Sequence, residues 1–283
     1  MRIDAHVHMH GQEKDSGEFM KRLEMAGFDG AVVFSTAPDG MFGLGKTGTP
    51  KERLEKLMTY TKGRDTLYPF YFLDPTDEDA LEQVKLAKEA GVCGYKIICS
   101  HFYPWNPQAM EVYRWIAEQH MPLMFHSGIL YDGINASGKY NRPCEFEPLL
   151  SVAGLRFSVA HVSWPWTGEC IAVYGKFNAF LKRNPGGKAA ELFLDLTPGT
   201  PPTFRKPVLT DVYGNGFDVE QTTFWGSDNV AEGYNWEYAK RIRERDEEIF
   251  KELRLSEKIK ESIFCENFMR FMNNREYETF SVK

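Results

Sequence analysis

Short apolar runs rich in Val, Ile, Phe and Tyr alternate along the chain with longer stretches whose apolar positions recur every three or four residues. Runs of the first kind, bounded by turn residues, predict strands, and the second kind predicts amphipathic helices. The pattern predicts eight strands, over 2–8, 30–35, 67–73, 94–99, 122–127, 156–161, 191–196 and 222–227. Helices are predicted over 18–26, 51–62, 77–90, 107–119, 145–153 and 169–182. In the third of these, Thr76, Asp77 and Glu78 offer an N-terminal cap and Gly91 a stop, while Leu81, Val84, Leu86 and Ala87 supply an apolar face. The segment 197–221 holds Pro198, Pro201, Pro202 and Pro207 and three glycines, and predicts a long loop. From Glu232 to about Asn273 the chain is charged between Glu237 and Lys260, then apolar at Ile263, Phe264, Phe268 and Phe271. One exposed helix followed by one closing helix is the expectation.

Strands that alternate with helices imply a parallel sheet. Eight of them at nearly even spacing favour a closed (β/α)8 TIM barrel over a doubly wound open sheet. No Gly/Ser linker or break in composition divides the chain, so residues 1–283 are expected to form a single domain, closed by C-terminal helices. The apolar fraction of 42% and charged fraction of 26% are those of a folded globular protein. A formal charge of −6 with no basic stripe argues against a nucleic-acid partner. Cys93, Cys99, Cys144, Cys170 and Cys265 form no CxxC pair and mostly lie in apolar runs, which predicts reduced, buried thiols. The opening residues hold no secretory h-region and no run is long and apolar enough to span a bilayer. A cytoplasmic location, no membrane partner and a homodimer as the assembly to test are the expectations.

The polar residues at strand ends carry the chemistry. His6 and His8 are two apart on one strand, so their side chains share a face. Alone, the pair reads equally well as two packed histidines. His126 ends the fifth strand, His161 the sixth, and Asp228 follows the eighth. Barrel enzymes assemble their sites at this face, and four histidines with one aspartate arriving there suit zinc or a similar divalent ion such as manganese. Lys96 sits within an apolar strand and needs a partner, which Asp4, Asp195 or a substrate carboxylate would supply. His101, His10 and His120 are weaker candidates, and Arg142 suits either a substrate carboxylate or a structural ion pair. Trp105, Trp164, Trp166 and Trp225 lie near strand ends, where they serve as pocket walls or as core.

The runs His6-Val7-His8, Pro122 to Gly128, Phe157 to His161 and Gly226-Ser227-Asp228 together resemble the amidohydrolase superfamily, in its amidohydrolase-related branch. The likeness extends to Asn141-Arg142-Pro143, to Leu192 to Thr197 and to Phe264-Cys265-Glu266-Asn267. It implies a metal-dependent enzyme in which His6, His8, His126 and Asp228 hold one divalent ion. Asp228 would also accept a proton from water, and His161 would act on substrate. Lys96, His101 and Arg142 are the further candidates for substrate contacts. The branch includes hydrolases of small esters, lactones and amides, the first expectation here, and nonoxidative decarboxylases of small unsaturated or aromatic acids, the alternative. Dinuclear members of the superfamily bridge two ions with a carboxylated lysine on strand four. Lys96 lies early in its predicted strand, so one ion is expected.

Overall fold

Every predicted strand forms: β1 (Ile3–His8), β2 (Gly30–Phe34), β3 (Leu67–Phe72), β4 (Gly94–Ile97), β5 (Pro122–Phe125), β6 (Arg156–Val159), β7 (Glu191–Asp195) and β8 (Thr223–Phe224). The computed structural model describes residues 1–12, 14–38, 41, 46–186 and 188–272. A short ninth strand, β9 (Asn229–Val230), was not anticipated. All pairings are parallel, in the order β8-β7-β6-β5-β4-β3-β2-β1-β9. Since β9 closely follows β8 yet lies on the far side of β1, this one stretch of chain closes the sheet. Ala5 donates its N–H to the Trp225 carbonyl (3.1 Å), and Asp228 donates to that of His6 (3.0 Å). The expected barrel is the fold observed.

Alternate strand residues face opposite ways. Ile3, Ala5, Val32, Phe34, Phe70, Met124, Phe193 and Phe224 form the inner cluster, against which Phe268 and Phe271 of the C-terminal segment pack. Val7, Val33, Tyr71, Ile97, Phe125 and Val159 belong to the outer cluster shared with the helices. Strict alternation from Ile3 and Ala5 would send His6 and His8 outward. Between Asp4 and Val7, however, β1 advances three residues while β2 advances two, from Ala31 to Val33. This bulge restores the inward face to His6 and His8.

The helices are α1 (Gly17–Met25), α2 (Pro50–Thr61), α3 (Ala80–Ala90), α4 (Pro107–Glu118), α5 (Thr167–Arg183), α6 (Pro202–Gly214), α7 (Trp236–Glu252), α8 (Glu257–Glu261) and α9 (Asn267–Phe271). Several differ from expectation. In α3 the cap falls at Asp79, and the buried stripe is Ala80, Gln83, Val84 and Ala87. Leu81 and Leu86 sit off that stripe and are exposed. The predicted helix 145–153 is a 3-10 segment, Pro143–Ser151, because Pro148 cannot donate within an α-helical ladder. The predicted loop 197–221 contains α6, which starts with Pro202 in its first turn, where a proline is tolerated. It buries Arg205, Val208, Leu209 and Val212, spaced as one helical face. Helix α7 is not simply exposed: Ala239, Ile242, Ile249 and Phe250 are buried on one side. The closing segment carries a π-helical turn, Ser262–Glu266, between α8 and α9, and its expected end at Asn273 lies outside the described residues. All five cysteines are free, but Cys144 is exposed rather than buried.

Candidate active site

Strands β1, β5, β6 and β8 deliver His6, His8, His126, His161 and Asp228 to one cavity of about 370 Å³. Phe34, fully buried, packs against two of these histidines. The Phe34 ring lies 4.8 Å from the His6 ring and 5.0 Å from that of His8. The His126 and His161 rings are 5.0 Å apart, and those of His6 and His161 are 5.7 Å apart. Met9, Phe72, Ile98, Leu130, Trp164 and Val230 make the walls above them largely apolar.

His6 Nδ1 donates to Asp195 Oδ2 at 2.6 Å, with both side chains buried. A carboxylate on Nδ1 fixes the tautomer and leaves Nε2 as the lone-pair nitrogen facing the cavity. Asp195 is itself held by the Thr197 N–H (2.8 Å) and the Thr197 hydroxyl. Burial raises the Asp195 pKa to about 6, against the hydrogen bonds from Thr197. One step behind lies Asp4, which accepts from Ser227 N–H (2.8 Å) and the Tyr234 hydroxyl (2.7 Å), joining β1 to the end of β8. Sequence reasoning named Asp195 only as a partner for Lys96. Its signal was present: an acidic residue at the end of an apolar strand, on the inward parity of Phe193.

His161 arrives by a different device. Phe157 and Val159 belong to the outer cluster, so alternation assigns Ala160 inward and His161 outward. His161, Val162 and Ser163 then adopt φ of 61°, 46° and 56°. Three successive left-handed residues, one of them β-branched, are strained by about 1–3 kcal/mol each, and they turn His161 back into the cavity. Gly199 lies against the ring. A Cβ there would stand 2.8 Å from His161 Nδ1.

Asp228 is the exposed member, at the mouth of the cavity, with φ 59°. Its Oδ1 lies 3.5 Å from both His6 Nε2 and His8 Nε2. Loss of water on the side packed against the histidines opposes its charge, yet the His8 hydrogen bond and the facing His161, His6 and His8 hold its pKa well below the usual carboxylate range. Burial also lowers the pKa of His6, His126 and His161, which favours neutral imidazoles. Neutral imidazoles beside an ionised carboxylate are the donor set of a divalent cation. The fit is supported by His126 Nε2, which is buried and has no hydrogen-bond partner. Ligand atoms of His6, His161 and Asp228 all lie within 4.8 Å of one another; among the described residues the expected ligands His8 and His126 fall outside that group, so His161 stands closer to it than they do.

Lys96 is next to last in β4, not early in its strand as expected. Its Nζ reaches 3.4 Å from His6 Nε2 and lies 4.9 Å from the Phe34 ring centre. Burial lowers its pKa to about 8, against the pull of Asp195 and Asp228. Two candidates are not brought to the cavity. His101 is an exposed residue beside Asp74 (3.4 Å) and Thr76 (3.2 Å), lining a separate recess. Arg142 pairs with Glu169 (2.9 Å) and lies over Trp166, its structural reading. Their loops carry them away from the barrel axis. His10 lines the cavity, whereas His120 lies in the turn after α4. Of Trp105, Trp164, Trp166 and Trp225, only Trp164 lines it; Trp225 is core, hydrogen-bonded to Asp246 (2.9 Å), and Trp105 is exposed and bonded to Glu145 (2.9 Å).

A parallel β/α barrel with a histidine and aspartate cluster at the C-terminal ends of its strands is the class that this geometry defines. No protein-family model matches the sequence, and no curated protein matches it. Solved structures do. The chain is similar to a TIM-barrel protein from Bordetella bronchiseptica (14% identity, 96% of this chain and 98% of that one, TM-score 0.69). It is also similar to a probable 2-pyrone-4,6-dicarboxylic acid hydrolase from Acinetobacter baumannii (15%, 96% and 99%, 0.64). A third is amidohydrolase 2 from Bifidobacterium longum subsp. infantis (12%, 96% and 98%, 0.56). At these identities the likeness establishes the shared fold.

Proposed function

We propose that the chain is a metal-dependent hydrolase acting on a small ester, lactone or amide. The observation that carries this reading is the convergence of His6, His8, His126, His161 and Asp228 in one apolar-walled cavity, with His126 Nε2 buried and unpartnered. Similar folds whose names include a hydrolase and an amidohydrolase support it. His6, His8, His126 and Asp228 would hold one divalent ion, zinc by the balance of imidazole and carboxylate, with manganese the alternative. When bound, such an ion supplies Lewis acidity and a water that ionises near pH 7. Asp228, ionised and at the mouth, accepts the proton of the attacking water. His161, neutral and buried beside it, donates to the substrate oxygen or passes that proton to the leaving group. Lys96, whose Nζ lies 3.4 Å from His6 Nε2 in the same cavity, offers an ammonium to the acyl oxygen. Residues 1–283 act as one catalytic unit, and five free thiols support a reducing, cytoplasmic setting.

Elemental analysis of the purified protein, paired with a panel of lactones, esters and amides, tests this. One equivalent of zinc or manganese and turnover that follows metal content are expected. Absence of stoichiometric metal from protein expressed with metal supplied would overturn the reading. Carbon dioxide released from a carboxylic acid would assign decarboxylation instead, and two equivalents with a carboxylated Lys96 would make the site dinuclear.

A further inference from the structure

A second recess, of about 580 Å³, adjoins the cavity and shares Tyr131 and Gly199 with it. The loop after β7 forms one side, from Pro198 to Pro202, and α7 forms the other through Tyr238, Arg241 and Arg245. Its chemistry is unlike that of the cavity. Among the described residues Arg241 makes no ion pair, and its guanidinium lies 5.6 Å from the Tyr238 ring centre. Arg245 pairs with Asp246 at 3.1 Å, but that carboxylate is already held by Arg205 through Nε and Nη2. Two arginines and a further buried one therefore face a single paired aspartate, so the recess carries net positive charge. Thr200 on the opposite side is more than nine-tenths buried, and its hydroxyl has no hydrogen-bond partner. A buried hydroxyl without a partner costs free energy unless a ligand satisfies it.

We propose that this recess binds the carboxylate end of the substrate, through Arg241, Arg245 and the Thr200 hydroxyl, while the reacting group sits at the histidine cluster. The apolar walls between them take an uncharged middle. The substrate class is then an ester, lactone or amide with a carboxylate separated from the reacting carbonyl by an apolar spacer. This rests on the hydrolase reading above for the identity of the reacting end.

Titration calorimetry on the metal-loaded protein tests the subsite without turnover. The probes are the diacids from glutarate to suberate and the monoacids of matching length from pentanoate to octanoate. A diacid that spans both positions engages two anchors at once and gains effective concentration. At least one diacid is expected to bind on the order of tenfold or more tighter than its monoacid, the scale of one charge-assisted contact. Arg241→Gln should weaken the diacid and abolish that preference. Diacids no tighter than monoacids at any length, or a diacid preference that survives Arg241→Gln, would overturn the proposal. Failure of every ester and lactone to turn over, with the diacid preference intact, would sink the hydrolase and leave the subsite.

Discussion

The Nδ1 proton of His6 decides which nitrogen faces the cavity, and Asp195 holds that proton. Asp195→Asn removes the charge while keeping the size, so the imidazole loses its preference for one tautomer. Metal affinity should fall about tenfold to a hundredfold, the usual effect of losing such a carboxylate; competition with a chromophoric chelator reads it, and unchanged affinity would reduce Asp195 to packing. His161 is assigned by a different measurement. His161→Asn is expected to keep the metal and lose on the order of a hundredfold in turnover, as for a positioned acid/base group. Loss of the metal would make it a ligand, in keeping with its place within 4.8 Å of His6 and Asp228. At this scale the sequence shows which residue types end which strands. It does not show that His101 and Arg142 leave the site, because His101 is held by Asp74 and Thr76 and Arg142 by Glu169, each far along the chain from the residue it holds.

Helix α6 illustrates how an element is misread. Four prolines in the segment 197–221 outweigh a stripe at 205, 208, 209 and 212 that a helix buries. Pro202 costs nothing in the first turn, but Pro207 lies inside the helix on its exposed face and leaves a carbonyl one turn earlier without its donor. Pro207→Ala should therefore raise stability by about 2 kcal/mol, the helical gain less the added freedom of the unfolded chain. Chemical denaturation measures it, and a loss of stability would show that the ring packs in a way the helix needs. The turn after β6 is the opposite case. No local pattern in Ala160 to Ser163 announces three left-handed residues; the end of β6 must bend there for His161 to meet its partners, and the surrounding packing supplies the energy.

Across the whole molecule, one buried carboxylate joins distant parts of the barrel. Asp246 on α7 accepts from Arg205 on α6 and from the Trp225 indole, and Arg205 also donates to the Leu196 carbonyl (2.5 Å) after β7. Asp246→Ala strands a buried guanidinium and should destabilise the fold by about 3–5 kcal/mol, seen as a lower denaturation midpoint; a change under 1 kcal/mol would mean that water or Arg245 rearrangement compensates. A metal held by the four proposed ligands, which come from three strands, would also stabilise the assembled barrel. At a free metal concentration a hundred times the dissociation constant the gain is about 2.7 kcal/mol, so chelation should lower the thermal midpoint, and an unmoved midpoint would contradict a site built across the barrel mouth. The sequence by itself determined the eight strands, their parallel order and the five polar residues at their ends, because apolar periodicity and position within a strand are local properties of the chain. Only the tertiary structure decided that a bulge turns His6 and His8 inward, that left-handed backbone re-aims His161, and that Arg241 and Thr200 face one recess. Those outcomes depend on register between strands and on loops packing against helices far away in sequence, and no local pattern encodes either.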